Sequence, residues 1–205
     1  MKEESESLYF DEIYRDYLDK IARIDLNKVS EGLGIVVIGE DAIMPLFGME
    51  HRVSARGIVN QDGRRPSHSV SVVLCKYLLM CPETEPLDSN LVSYRDFKDS
   101  APFAEGFRAN AEANISRAFS GRIGKLEQAC QQLMARPVQE DFPGQLKMRL
   151  DALPKVPILL LFNDEDEEFP AQCSLLFERR AEKYLDMECL AISGWILAEW
   201  LKQRL

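Results

Sequence analysis

The chain has 205 residues, 46% of them hydrophobic and 29% charged, enough to build one globular domain without disulfide or metal staples. A formal net charge of −9 with no long run of Lys or Arg argues against nucleic acid as the main partner. The longest glycine-free apolar run, Val156 to Phe162, is far too short to cross a membrane, and the opening Met1-Lys2-Glu3-Glu4-Ser5-Glu6 lacks the apolar stretch of a secretory signal.

From Ser5 to Asn27 the residues Phe10, Ile13, Tyr14, Tyr17, Leu18, Ile21 and Ile24 recur at helical spacing, which predicts an amphipathic helix packed on the rest of the fold. Gly34 to Gly39 and Ala42 to Phe47, separated by Glu40-Asp41, predict a β-hairpin. Strands at Glu50 to Ala55 and Gly57 to Val59 follow, then a polar loop from Asn60 to Arg65. Ser67 is an N-cap for a helix carrying Val70, Val73, Leu74, Tyr77 and Leu78, which Cys81-Pro82 stops.

Leu91 to Tyr94 is a short extended piece. Ser100-Ala101-Pro102 opens a helix with Phe103, Phe107, Ala111, Ile115 and Phe119, each step being i+4. A further helix carries Ile123, Leu126, Ala129 and Leu133. Gln145 to Leu150 alternates as a half-buried strand, and Val156 to Phe162 reads as a central strand buried on both faces, with an antiparallel turn between the two. Cys173 to Phe177 is another strand. A final helix from about Asp186, bearing Leu190, Trp195, Ile196 and Trp200, should pack across the sheet. Clustered rather than alternating elements predict an α+β fold, mostly antiparallel sheet with helices packed against it, in a single domain over residues 1–205.

Glycines at Gly32 and Gly34 precede a strand, the reverse of the order a dinucleotide-binding turn requires, so classical nucleotide binding is rejected. Five cysteines, Cys75, Cys81, Cys130, Cys173 and Cys189, form an odd set without an export signal, which predicts reduced thiols packed as small hydrophobes in a cytoplasmic protein. His51 and His68 fall in no metal-ligand spacing, and no metal site is assigned. The stretch from His51 to His68 also holds Arg52, Arg56, Arg64 and Arg65. Arginines leading into a helix N-terminus suit a phosphate or carboxylate, so these four and His68 are candidate anion ligands; the bland alternative is a solvated loop.

The most conspicuous chemical feature is Asp164-Glu165-Asp166-Glu167-Glu168, which lacks the spaced pattern of a calcium loop. Arg95, Asp166, Glu167, Glu168 and Glu178 are candidate ligand-binding residues. Glu168, entering the fold beside Phe169-Pro170, is expected to be a buried anchor paired with Arg95, while Asp164 and Glu165 are expected to be solvated.

Residues Asp151 to Ile158, then Asp166-Glu167-Glu168-Phe169-Pro170-Ala171, Leu175-Leu176-Phe177-Glu178 and Tyr184-Leu185-Asp186-Met187-Glu188 form a distinctive series. Lys76-Tyr77-Leu78-Leu79 and Val92 to Phe97 fit the same pattern. The series resembles a family of uncharacterised proteins from anaerobic bacteria and archaea, defined as a domain of unknown function. The resemblance implies a link to anaerobic redox or one-carbon metabolism, and some relatives carry an added iron–sulfur domain. This chain departs from those relatives, since Cys75 and Cys81, its closest cysteine pair, are six apart and cannot supply cluster spacing.

No catalytic set or cofactor is readable. The leading expectation is a binding or accessory module, with a small molecule or a metabolic enzyme as partner. Its rivals are an enzyme of unrecognised type working at the acidic turn near Glu168, and a structural subunit that forms a homodimer.

Overall fold

The computed structural model describes residues 2–139 and 142–205, with side chains described from Phe10 onward. Helix α1 (Lys2–Ile21) is followed by a short second helix, α2 (Leu26–Leu33), so the opening apolar series is broken rather than continuous. Asp25 caps α2 by accepting from the Asn27 N–H, and Gly34 ends it in the left-handed conformation, a region that glycine enters without a Cβ penalty.

Four strands then form an antiparallel meander, β1 (Val36–Ile38), β2 (Asp41–Leu46), β3 (Met49–Ser54) and β4 (Gly57–Asn60), in spatial order 1-2-3-4. Phe47-Gly48 joins β2 to β3 with positive φ at both positions, the mirror-image turn whose twist matches a hairpin. That turn places Phe47 in the core, edge-on to Trp200.

Helix α3 (His68–Leu79) follows, capped by Ser67 as its sequence predicts. The second sheet has five antiparallel strands: β5 (Leu91–Ser93), β6 (Arg136–Pro137), β7 (Leu146–Leu153), β8 (Val156–Asn163) and β9 (Gln172–Glu178), in order 5-9-8-7-6. The apolar strand β8 is therefore central, as expected. The α+β class holds, with the antiparallel strands divided between two sheets.

Helix α4 (Ala101–Phe107) runs through a π-helical turn (Arg108–Glu112) into α5 (Ala113–Phe119), and α6 (Ile123–Gln132) follows. The π turn has a physical cause in the sequence. A stripe repeating every four residues drifts about 40° per step around a helix of 3.6 residues per turn. Over Phe103, Phe107, Ala111, Ile115 and Phe119 that drift would carry the last residues off the core face. A wider turn absorbs it, and Phe107, Ala111, Ile115 and Phe119 are all buried.

The last helix, α7 (Met187–Lys202), makes its main contacts with α3, α4, the π turn, α5 and α6. Helices thus cover much of its surface, and Trp200 reaches Phe47 at the β2–β3 turn. Trp195 is partly buried, and the fully buried residues of α7 are smaller, among them Leu190, Ala191, Gly194, Leu197 and Leu201. One hydrophobic core joins these helices to both sheets.

Candidate functional site

Strand β5 ends at Ser93, opposite Leu176, so β9 loses its neighbour toward Gln172. The next edge donor, the Leu175 N–H, would be left without a strand carbonyl. Glu112, the last residue of the π turn, supplies the acceptor instead: its Oε1 takes the Leu175 N–H at 3.0 Å. An unpaired buried donor costs on the order of 1–3 kcal/mol, which gives this carboxylate a structural reason to stand there.

The space beside it is a cleft of about 500 Å³ lined by Ser93, Arg95, Glu105, Phe107, Arg108, Glu112, Ser174 and Leu176, among others. Its apolar wall is anchored. Phe107 stacks on Tyr94 with ring centroids 4.4 Å apart and packs on Phe177, while the Tyr94 hydroxyl donates to the Met187 carbonyl at 2.6 Å. Gly194 lets α7 approach this wall, because a Cβ there would lie 2.4 Å from the Phe107 ring.

Burial pushes the Glu112 carboxyl up from its ordinary value; the Leu175 N–H and the charges of Arg108 and Arg95 pull the other way. Both arginines thus act on Glu112 through the field. Among the described residues, neither guanidinium makes an ion pair or hydrogen bond, and the same holds for the Glu105 carboxylate. The cleft therefore presents uncommitted charge of both signs over an apolar floor.

Arg95 is the one predicted ligand-binding residue that lines this cleft. Glu168 is not its partner: Glu168 is exposed and makes no contact with Arg95, which overturns the buried-anchor expectation. The reason is local. The Asp166 carboxylate accepts from the Glu168 and Phe169 N–H groups at 2.9 and 2.8 Å, closing a tight turn that keeps Glu167 and Glu168 in solvent. Those two bonds also hold the Asp166 carboxyl below its usual range.

Asp164, expected to be solvated, is half-buried instead. It accepts from the Gly121 N–H at 2.7 Å and the Ile123 N–H at 3.3 Å, and so ties the turn to the start of α6. Glu165, exposed as expected, accepts from Ser120 Oγ at 2.7 Å. The buried acid of the set is Glu178, only 5% exposed, held by Arg180 and, at 3.3 Å, by Arg149. The acidic turn and Glu178 are thus structural fixtures, and the turn contributes no lining residue to the cleft.

The arginine-rich loop does not converge either. Arg52 faces Glu50, Arg56 spans Glu40 and Asp41, and Arg65 pairs with Asp11 while lying 3.8 Å over the Tyr14 ring. Arg64 is exposed, and its backbone closes a loop with Asn60. His68 lies against Phe10, its ring pKa lowered by burial and by the Arg65 charge. These side chains pin α1 to α3 and brace the meander. His51 is buried, with its Nδ1 2.8 Å from the Met49 carbonyl, and burial lowers its pKa as well.

Burial raises every cysteine thiol, Cys75 and Cys130 to about 12, so packing accounts for them better than nucleophilic chemistry does. Among the described residues no group of three or more His, Cys, Asp or Glu converges as a metal site. No described helix is long and apolar enough to cross a membrane.

Glu112, Arg108 and Glu105 were not singled out by the sequence reading. Their signal was the constant i+4 step, which fits a widened turn better than a regular helix.

The architecture and its cleft define an α+β protein of two antiparallel sheets with a mixed-charge site at a sheet edge. The chain belongs to the family described as Domain of unknown function (DUF3786), whose model matches residues 25–200. That span begins at the cap of α2, excludes α1 and takes in the whole cleft. No curated protein and no solved structure matches the chain.

Proposed function

We propose that this protein is a small-molecule-binding module whose site is the cleft between β9 and the π turn. The observation that carries this reading is the pair of guanidiniums, Arg95 and Arg108, without ion-pair partners among the described residues, above an apolar wall of Phe107 and Leu176. Such a cleft, of ordinary ligand-pocket size with few convergent polar groups, suits a ligand with an anionic group and a carbon skeleton. The acidic turn offers an enzyme reading less support, because its carboxylates are spent on backbone donors, on the Ser120 hydroxyl or on solvent.

The family resemblance adds a setting. We place the module in the cytoplasm, serving anaerobic redox or one-carbon metabolism beside a metabolic enzyme. Buried, protonated thiols are compatible with that compartment.

The test is calorimetric titration with phosphate, succinate, 3-phenylpropanoate and phenylalanine. At least one should bind, and Arg95→Met combined with Arg108→Met should weaken it tenfold or more. Failure of all four to bind, or equal binding by the double variant, would overturn the site.

A second reading, a homodimer, is favoured by β1. Val36 and Ile38 are 62% and 65% exposed on an edge strand that no lysine or proline guards. A two-fold axis at Val37 would pair Val36 with Ile38 of a second copy. Light scattering of the wild type and of Val36→Lys would decide it, with a dimer that the substitution dissociates as the supporting result.

A further inference from the structure

Of the candidate sites, the cleft beside the π turn carries the furthest inference, because its charges are uncommitted and of both signs. We infer that its ligand is a zwitterion of amino-acid type, with its carboxylate on Arg95 and Arg108 and its ammonium facing Glu105 and Glu112. This rests on the binding reading above and narrows the ligand class.

Two guanidiniums and two carboxylates line one cleft of about 500 Å³. On the neighbouring face of the sheet, Arg136, Arg149 and Arg180 each pair with Asp151, Glu178 or both. In the cleft that internal pairing is missing: Arg95, Arg108 and Glu105 have no ion-pair partner among the described residues, and Glu112 commits only Oε1, to a backbone donor.

A purely anionic ligand would satisfy the arginines but bring negative charge against Glu105 and Glu112. A purely cationic one would reverse the penalty. Like-charge contact in a partly desolvated cleft is costly, so a net-neutral ligand with separated charges meets both sets at once. Ala104, Phe107 and Leu176 supply the apolar surface on which its side chain would rest. The upward push on the Glu112 carboxyl agrees, since burial there outweighs the nearby guanidiniums and a ligand ammonium would add the missing positive charge. The volume admits a free amino acid with a large apolar side chain or a dipeptide.

The experiment compares matched probes by titration calorimetry with the full chain. Phenylalanine, leucine and the dipeptide Phe-Leu are set against 3-phenylpropanoate and 4-methylpentanoate, which lack the ammonium, and against phenethylamine and isopentylamine, which lack the carboxylate. At least one zwitterion should bind ten times or more tightly than its single-charge analogues. Arg108→Met should weaken zwitterion and acid alike by tenfold or more. Glu105→Gln should weaken the zwitterion by threefold or more and should tighten the acid, by relieving like-charge repulsion. Both positions are exposed, and circular dichroism checks that the variants fold. Acids binding as tightly as zwitterions would overturn the ligand class while leaving the binding module in place. Binding by no probe would remove both.

Discussion

Two glutamates flank strand β9, and they exchange the parts that their neighbours in sequence suggest. Glu168 sits in a dense acidic run beside Phe-Pro and looks as if it enters the fold. Glu112 sits in an ordinary helix and looks like a surface residue. In the structure Glu168 is in solvent, because Asp166 closes a turn beneath it. Glu112 is partly desolvated, because a π turn sets it beside an orphaned strand donor. What decides a carboxylate's environment is the backbone group it must satisfy rather than the acidity of its neighbours.

The largest effect should come from the wall that holds the Glu112 side in place. Phe107 is 2% exposed, stacked on Tyr94 and packed against Phe177 and Gly194. Phe107→Ala should cost about 3–5 kcal/mol in denaturant unfolding, as expected for a buried aromatic truncated to alanine. A loss under about 1 kcal/mol would mean that the wall collapses freely and that the cleft has no rigid floor.

Glu112 itself should respond to what replaces it. Glu112→Ala strands the Leu175 N–H and should cost about 1–3 kcal/mol. Glu112→Gln keeps an acceptor oxygen and removes only the ionisation. Because the carboxyl is raised in the fold, its contribution to stability is fully present below the unfolded carboxylate value and is lost as pH rises through the raised one. The glutamine variant is spared that loss. It should therefore gain on the wild type across the mildly acid range and hold the gain at neutral pH. Parallel stability curves for the two proteins from acid to neutral pH would show that Glu112 is not raised.

How much of this was legible can be traced through particular elements. Val156 to Phe162 announces a central strand because every residue is apolar, and β8 is third of five. Ser67 announces α3 because a capping oxygen has few other uses there. The helix at Leu26–Leu33 carried its own signals, Asp25 ahead and Gly34 behind, but the apolar series from α1 ran into it and masked the break. The site was less legible. Arg95 was singled out, yet its surroundings were misassigned, since a hydrogen bond between Glu112 and Leu175 joins residues 63 positions apart. No local pattern encodes that contact. The steady i+4 step hints at the π turn, but only the short length of β5 creates the donor it serves.

Within the acid run, Asp164 does structural work beyond its own turn. It accepts from two backbone N–H groups where α6 begins. Asp164→Ala should cost about 0.5–2 kcal/mol, the range for losing a helix-capping oxygen. Asp164→Asn should recover most of that loss, because an amide oxygen accepts the same bonds. An alanine variant as stable as wild type would put Asp164 with the solvated acids and erase the distinction within the run.

The smallest effect should come from Glu168 and Arg95 together, and its smallness is informative. Both side chains are exposed, and no hydrogen bond or ion pair joins them. Glu168→Gln and Arg95→Met should each change stability by no more than about 0.5 kcal/mol, and a double-mutant cycle should return additivity within the same margin. A coupling above about 1 kcal/mol would restore the anchor pair that the structure removes. Binding should separate the two residues where stability does not. Glu168→Gln leaves the cleft untouched, so the affinity of whichever probe binds should be unchanged. Arg95→Met removes one of two guanidiniums, and the same probe should weaken severalfold while the unfolding curve stays in place. If both substitutions were silent in binding, Arg108 alone would carry the anionic group, and Arg95 would be only an exposed residue at the rim.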